Sequence, residues 1–275
     1  MRPCSNVEPV KPILLDLGHF AIHSFGVMVA IGFISGTWLA SRRASAVGIN
    51  PEVIQDLVFP WLLVGALLGA RLLYVVSYWK TDFAPASFLD VLAIWKGGLV
   101  FYGGLIGATA AGIWRVWQKS LPAWRIADCM APGLALGHAM GRLGCFLNGC
   151  CYGTPTTLPW GIRFPDLNHE LFGTPLGWVH AVQIYESSLN LLLCGSLVLL
   201  HQRRLAAGTV GAVYLMAYAL IRAFVELFRG DYVKIGAAMP GGFKPGQYTS
   251  VAIFAAGLIV LYLARRNARK ASVSP

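Results

Sequence analysis

The sequence has few charged side chains: Asp, Glu, Lys and Arg together make up 12% of its 275 residues. Soluble domains carry about twice that share, so a water-soluble globule of this size would not cover its surface. The hydrophobic content of 56% excludes a disordered chain and a nucleic-acid-binding tail, and six cysteines are too few for a disulfide-rich secreted module. The class of protein that remains is an integral membrane protein.

Other features are also missing. The chain contains no internal repeat, no low-complexity tract and no linker that would divide it, so we expect a single domain over residues 1–275. The residues before position 20 do not have the basic-then-apolar layout of a removable signal peptide.

Long apolar runs are the most prominent feature that the sequence does have. They extend over about 20 residues, the length that a helix needs to cross the hydrocarbon core, whereas strands of a membrane barrel alternate over about ten. We therefore predict an all-α integral membrane protein with seven transmembrane helices. The predicted spans are residues 20–40, 57–79, 98–117, 126–147, 182–200, 208–228 and 248–264. The fourth span is the least apolar, because Asp128, His138 and Arg142 interrupt it.

Basic residues are concentrated in the loops on one side of these spans. That set consists of Arg42, Arg43, Arg115, Lys119, Arg125, Arg203, Arg204, Arg265, Arg266, Arg269 and Lys270. Because Lys and Arg are enriched in cytoplasmic loops, the N-terminus is predicted outside and the C-terminus inside. The outer segments 148–180 and 229–247 are rich in Gly and Pro, and we expect them to form a small external head.

Among the ionisable residues of the predicted spans, three arginines and two glutamates are candidates for a site: Arg71, Arg142, Arg222, Glu186 and Glu226. A charge in the hydrocarbon region costs about 2.5–3.5 kcal/mol, so such residues usually face the protein interior. One interpretation is an internal ion pair, since Arg222 and Glu226 are four apart on one helix face. The other is a site for an anionic headgroup, because an Arg fork donates two hydrogen bonds to one phosphate. Three arginines against two carboxylates leave positive charge, which favours an anionic ligand.

Three short segments add candidate residues. Glycines at 97–107 allow close helix packing, or they expose backbone N–H groups to an anion. Cys145, Cys150 and Cys151 follow a Cys-x₄-Cys-Cys spacing that matches no common zinc site, so no metal is predicted. These thiols are small apolar residues, or one of the last two pairs with Cys145 in a disulfide. Residues 180–186 place His, Gln, Tyr and Glu together, which indicates a hydrogen-bond network with either a scaffold or a functional role.

Taken together, these residues resemble the prolipoprotein diacylglyceryl transferases of bacterial inner membranes. The resemblance covers essentially the whole chain and depends on the order of its motifs. The motifs are His-x-x-Gly at 23–26, Gly-x-Arg at 69–71, the glycine-rich segment 97–107, Gly-Arg-x-Gly…Asn-Gly at 141–149, His-x-x-Gln-x-Tyr-Glu at 180–186 and Arg-x-x-x-Glu-x-x-Arg at 222–229.

The resemblance implies a transferase of the bacterial cell inner (cytoplasmic) membrane, with a periplasmic N-terminus and head and a cytoplasmic C-terminus. The reaction would move the diacylglyceryl group of phosphatidylglycerol to the lipobox cysteine of a preprolipoprotein, and glycerol phosphate would leave. The implied partners are membrane lipid and the preprolipoprotein signal peptide; no cofactor and no nucleic acid is implied. The implied catalytic residues are Arg142, Arg222, Glu226, Tyr102 and Asn148. The implied substrate-binding residues are Arg142, Arg71, Gly103, Gly104, Gly153, His180, Gln183, Tyr185, Glu186 and Arg229.

The chain departs from the family pattern and resembles a divergent, cysteine-rich member. Tyr102 stands where the family has histidine, Phe25 for tyrosine, Cys145 for asparagine, Cys150 for an acidic residue and Ala181 for proline. One hypothesis is a working transferase with a rewired site. The alternatives are a paralogue with another lipid or thiol acceptor, a phospholipid-binding membrane protein without catalysis, and a transporter with a central anion site.

Overall fold

The computed structural model describes residues 11–16, 21–83, 91, 97–164, 178–203, 205–230 and 244–273. These residues contain a short antiparallel pair, β1 (Ile13–Asp16) and β2 (Ala21–His23), which the sequence pattern did not predict. Seven long helices follow: α1 (Ser24–Ala46), α2 (Pro51–Ser77), α3 (Phe101–Gln118), α4 (Ala123–Leu147), α5 (Val182–His201), α6 (Thr209–Phe228) and α7 (Pro245–Val273). A short π-helical turn, Trp79–Phe83, comes after α2. A helix is therefore confirmed at each of the seven predicted positions. Within the two predicted head segments, residues 165–177 and 231–243 lie outside the described residues.

Five of these helices are long and apolar enough to cross a membrane: α1, α2, α5, α6 and the part of α7 over Pro245–Lys270. The other two are α3 and α4, and α4 carries the polar residues that weakened the fourth predicted span. Membrane-spanning character is thus established for the protein, while the count of seven crossings stays a prediction.

The distribution of side chains is the reverse of that in a soluble protein. Large apolar side chains are exposed, for example Leu72 at 66% and Val251 at 71%, whereas Glu186 and Glu226 are at most 1% exposed. Apolar outer surfaces are stable against lipid, and a buried carboxylate needs partners inside the protein. This arrangement fits a chain that is folded in a bilayer.

The chain folds as two compact units, and the first comprises residues Ser41–Ile126. Here α2 packs against α3 through glycines. A Cβ on Gly65 would lie 2.7 Å from the carbonyl oxygen of Gly107, and one on Gly103 would collide with the backbone of Gly69. Close helix packing through Gly103 and Gly107, one of the two interpretations of this segment, is therefore observed.

The second unit contains the described residues up to Ala40 and from Ala127 onward. In it α1 packs on α4, since a Cβ on Gly36 would lie 2.7 Å from the carbonyl oxygen of Gly133. Asp128 on α4 accepts hydrogen bonds from the backbone N–H groups of Gly208 (2.7 Å) and Gly211 (2.8 Å). A carboxylate at a helix N-terminus satisfies unpaired donors and complements the helix dipole. Asp128, which interrupts the fourth predicted span, thus caps the N-terminus of α6.

The described part of the head lies in the same unit and follows α4. Gly153 pairs with Arg229, and Val179 pairs with both Pro155 and Ile162, in short antiparallel bridges. Tyr152, Phe164 and Val179 form its small buried core. These contacts attach the head to the start of α5 and the end of α6.

Candidate active site

Glu186 is the centre of a buried ionic network in the second unit. Its side chain is buried, and its Oε2 lies 2.9 Å from Arg142 Nε in an ion pair. Arg222 Nη1 lies 3.7 Å from the same oxygen, and His138 Nε2 lies 2.9 Å from Oε1. One carboxylate on α5 therefore binds residues of both α4 and α6.

The spacing along the helices explains how these residues meet. His138 and Arg142 are four apart on α4, and Arg222 and Glu226 are four apart on α6, so each pair shares a helix face. Arg222 Nη2 contacts Glu226 Oε2 at 2.6 Å, as the sequence predicts. His138 was not among the predicted site residues, although its position one turn before Arg142 was a signal for it.

Glu226 is held by the start of α7. Its Oε1 accepts the backbone N–H of Gly246 at 3.1 Å, and a Cβ at Gly246 would collide with the carboxylate. Lys244 donates from Nζ to the carbonyl oxygens of Glu226 (2.9 Å) and Arg229 (2.7 Å) at the end of α6. A cation on these terminal carbonyls complements the helix dipole. Gly246 and Lys244 were missed because the sequence pattern gives no sign of which loop reaches Glu226.

The charge of this region is positive. Arg142 and Arg222 are balanced by Glu186 and Glu226, and Arg229 lies close enough to Arg142 to repel it electrostatically. The excess positive charge predicted from the sequence counted Arg71, which belongs to the first unit; in this unit Arg229 is a further cation near Arg142. Such a site is suited to an anionic group.

The fifth-helix motif forms the hydrogen bonds that its composition predicts. Gln183 Nε2 donates to the carbonyl oxygen of Cys150 at 2.7 Å. The Tyr185 hydroxyl accepts from Trp160 Nε1 at 2.9 Å and lies 3.3 Å from His180 Nδ1. Burial lowers the pKa of His180, so its imidazole is neutral at pH 7. These contacts join the head to α5, and Trp160 is a member that the sequence pattern did not indicate.

Gly153 lies where three segments meet. Its N–H donates to the carbonyl oxygen of His180 at 2.9 Å, and a Cβ would lie 2.6 Å from His180 Cβ and 2.8 Å from the Phe228 carbonyl oxygen. Only glycine allows this approach. Its predicted contact with substrate stays a prediction.

Three thiols converge beside the network. The sulfur atoms of Cys145, Cys150 and Cys151 lie within 4.8 Å of one another, and all three cysteines are free thiols. Hydrogen bonds from Cys145 and Cys151, with further contributions from Asn148 and the nearby Arg142, lower the pKa of the Cys150 thiol. Asn148, a predicted catalytic residue, therefore contacts this cluster.

The remaining predicted residues belong to the first unit. Arg71 donates from Nη1 to the carbonyl oxygens of Gly97 (2.7 Å) and Gly98 (3.1 Å), so its guanidinium holds the turn before α3. Tyr102, in the first turn of α3, is 56% exposed. A Cβ on Gly104 would lie 3.3 Å from the Ala66 carbonyl oxygen, which is a tight contact but a less severe one than a Cβ on Gly103 would make. Their roles toward substrate stay predictions.

The fold and site define a class: a multi-pass helical membrane protein with arginines held by carboxylates in its interior. Residues 12–263 match the family model described as prolipoprotein diacylglyceryl transferase. The chain belongs to this family.

Relatives named phosphatidylglycerol–prolipoprotein diacylglyceryl transferase occur in cyanobacteria. That of Synechococcus elongatus is 35% identical over 256 residues, covering 91% of this chain and 86% of the relative. Those of Synechocystis sp. (93% and 91% covered) and Gloeobacter violaceus (94% and 95% covered) are each 34% identical.

Proposed function

We propose that this chain transfers the diacylglyceryl group of phosphatidylglycerol to a cysteine thiol of a prolipoprotein. The names of its relatives and the family match over residues 12–263 support this activity. The chemistry takes place, in this proposal, at the network of Arg142, Glu186, Arg222 and Glu226.

The observation that carries the proposal is the state of Arg142. Its Nε is bound to Glu186, and its Nη groups have no hydrogen-bond partner among the described residues, although the side chain is only 15% exposed. A guanidinium held in this way offers two parallel N–H donors, the geometry that phosphate oxygens accept.

The reaction itself explains why cations are needed. The acceptor thiolate attacks the glyceryl carbon that bears the phosphate, a C–S bond forms, and the C–O bond breaks with its electron pair leaving on the phosphate oxygen. The phosphodiester carries one negative charge, and the departing glycerol phosphate carries two. Arg142 and Arg222 stabilise this developing charge, because donors fixed in a water-poor site need no reorganisation. Glu186 and Glu226 orient the two arginines.

The other predicted residues receive supporting roles in the proposal. Asn148, Gly153, His180, Gln183, Tyr185 and Arg229 form the mouth of the site. Tyr102 keeps the catalytic role, and Arg71, Gly103 and Gly104 keep the substrate-binding role, that the family resemblance implies. The acceptor is the lipobox cysteine of a preprolipoprotein signal peptide. The chain lies in the bacterial inner (cytoplasmic) membrane with its N-terminus and head in the periplasm, which the basic cytoplasmic loops support.

The experiment that tests the proposal uses the purified full chain with phosphatidylglycerol and a lipobox peptide, and detects the thioether product by mass spectrometry. We expect product from the wild type and a loss of at least about 100-fold in Arg142→Ala. Arg203→Ala, an exposed arginine after α5, is the matched control and should retain activity. Lipid binding without product would instead favour a non-catalytic phospholipid-binding protein or a paralogue with a different acceptor.

A further inference from the structure

The thiol cluster is built by the turn that ends α4. The backbone has positive φ at Gly149 (70°) and at Cys151 (63°), a conformation that a non-glycine residue rarely adopts. The chain therefore folds back, and the backbone N–H of Cys150 donates to the carbonyl oxygen of Cys145 at 3.1 Å. The fully buried Gln183 holds the turn from α5 through the Cys150 carbonyl. The turn that ends α4 and Gln183 of α5 thus hold the three sulfur atoms close together.

The distances between the sulfur atoms are close to those of a metal site. Thiolates bound to zinc at about 2.3 Å with tetrahedral angles lie about 3.8 Å from one another. The three sulfur atoms lie within 4.8 Å of each other, so a contraction of about 1 Å at most brings them to that spacing. All three side chains are partly exposed, which gives an ion a path to them.

We propose that Cys145, Cys150 and Cys151 bind a thiophilic divalent cation of the zinc class, with a fourth position that accepts the thiol of the prolipoprotein. Among the described residues, no His, Asp or Glu joins these three as a further ligand. Three protein ligands and an open position are the arrangement of catalytic zinc sites, whereas structural sites have four ligands. The role toward the acceptor rests on the proposed function; the metal site does not.

The bound cation would supply the thiolate that the transfer requires. The acceptor thiol takes the fourth position and releases its proton to solvent, because a coordinated thiol is deprotonated at neutral pH. The sulfur then forms the C–S bond, and the electron pair of the broken C–O bond leaves on the phosphate. Arg142 interacts electrostatically with Cys145 and Cys151, so the metal site and the phosphate-binding arginine are neighbours.

Metal binding is tested first, on the full chain in detergent and reductant. The protein is exposed to Zn²⁺, freed of excess ion and analysed for metal content; Co²⁺ is then substituted and its thiolate charge-transfer absorption recorded. We expect about one ion per chain, lost in each of Cys145→Ser, Cys150→Ser and Cys151→Ser. Cys194→Ala, at a buried thiol on α5, is the matched control and should keep the ion. Metal content no higher in the wild type than in the serine variants overturns the proposal, as does a disulfide among the three cysteines in the protein isolated without reductant.

The open position is tested separately from transfer. Adding a lipobox peptide to the Co²⁺ protein without lipid should change the cobalt spectrum, and a peptide with serine in place of cysteine should not. An identical response to the two peptides overturns the fourth-position role. In the transfer assay, removing the metal should lower the rate at pH 7 at least tenfold and have less effect at higher pH, where the free thiol ionises. Arg142→Ala should lose transfer but keep the metal and its peptide response, which separates a failure of the transferase proposal from a failure of this one.

Discussion

Arg142 on α4 forms an ion pair with Glu186 on α5, with 2.9 Å between Nε and Oε2, and both side chains are largely shielded from solvent. The contact holds the guanidinium by its inner nitrogen, and the described residues give its two Nη groups no hydrogen-bond partner. A carboxylate thus orients the arginine, and the donors suited to phosphate stay available.

The first prediction concerns the removal of this orienting charge. Glu186→Gln keeps the size of the side chain but removes the anion that Arg142, Arg222 and His138 share. We expect kcat for diacylglyceryl transfer to fall about 10- to 100-fold, because the arginines lose their fixed positions. The measurement is steady-state transfer at varied phosphatidylglycerol, which separates kcat from KM. The exposed Glu52→Gln is the control, and equal losses in both variants would contradict an orienting role.

The second prediction tests the shape of the arginine rather than its charge. Arg142→Lys retains a cation but has no planar fork, so one of two phosphate contacts is lost. We expect transfer to fall by about 100-fold while the protein stays folded. The rate is measured beside Arg203→Lys, at the exposed position after α5. Full activity in the lysine variant would show that only charge is required.

The third prediction concerns the space between α7 and Glu226. Gly246→Ala places a methyl group against the carboxylate, which must then leave its contacts with Arg222 and with the Gly246 N–H. We expect lower thermal stability and lower transfer, because a buried carboxylate separated from its partners costs about 3–5 kcal/mol. Gly195→Ala is the matched control: a Cβ there meets nothing within 4 Å, and alanine stabilises a helix interior by up to about 1 kcal/mol. A melting temperature for Gly246→Ala equal to that of the wild type would contradict the prediction.

The sequence predicted the positions of the seven helices because long apolar runs leave the backbone no other way to satisfy its hydrogen bonds in lipid. It also predicted the pair Arg222–Glu226, since residues four apart share a helix face. The sequence did not predict which residues of different helices are in contact. No local pattern indicates that Glu186 joins Arg142 to Arg222, or that Gly246 closes on Glu226.

Arg71 and the cysteine cluster show that a sequence pattern does not reveal contacts between distant segments. Arg71 was grouped with the other buried arginines as a source of positive charge, but its guanidinium binds backbone carbonyls at Gly97 and Gly98. The convergence of Cys145, Cys150 and Cys151 likewise depends on a turn with positive φ at Cys151, which the spacing of the cysteines does not indicate. In both cases the arrangement of the side chains depends on tertiary structure.

The last prediction separates stability from catalysis. Asp128→Ala removes the carboxylate that accepts from the N–H groups of Gly208 and Gly211 at the start of α6. Replacing a helix N-cap acceptor by alanine costs about 1–2 kcal/mol, so thermal unfolding in detergent should occur at a lower temperature. The transfer rate below that temperature should be unchanged, because Asp128 does not contact Glu186 or its arginines. Asp56→Ala is the control: its carboxylate also forms a contact, with Arg115, but it is 48% exposed and worth about 0–1 kcal/mol. Equal shifts in melting temperature for the two aspartate variants would show that Asp128 does not act as a cap for α6.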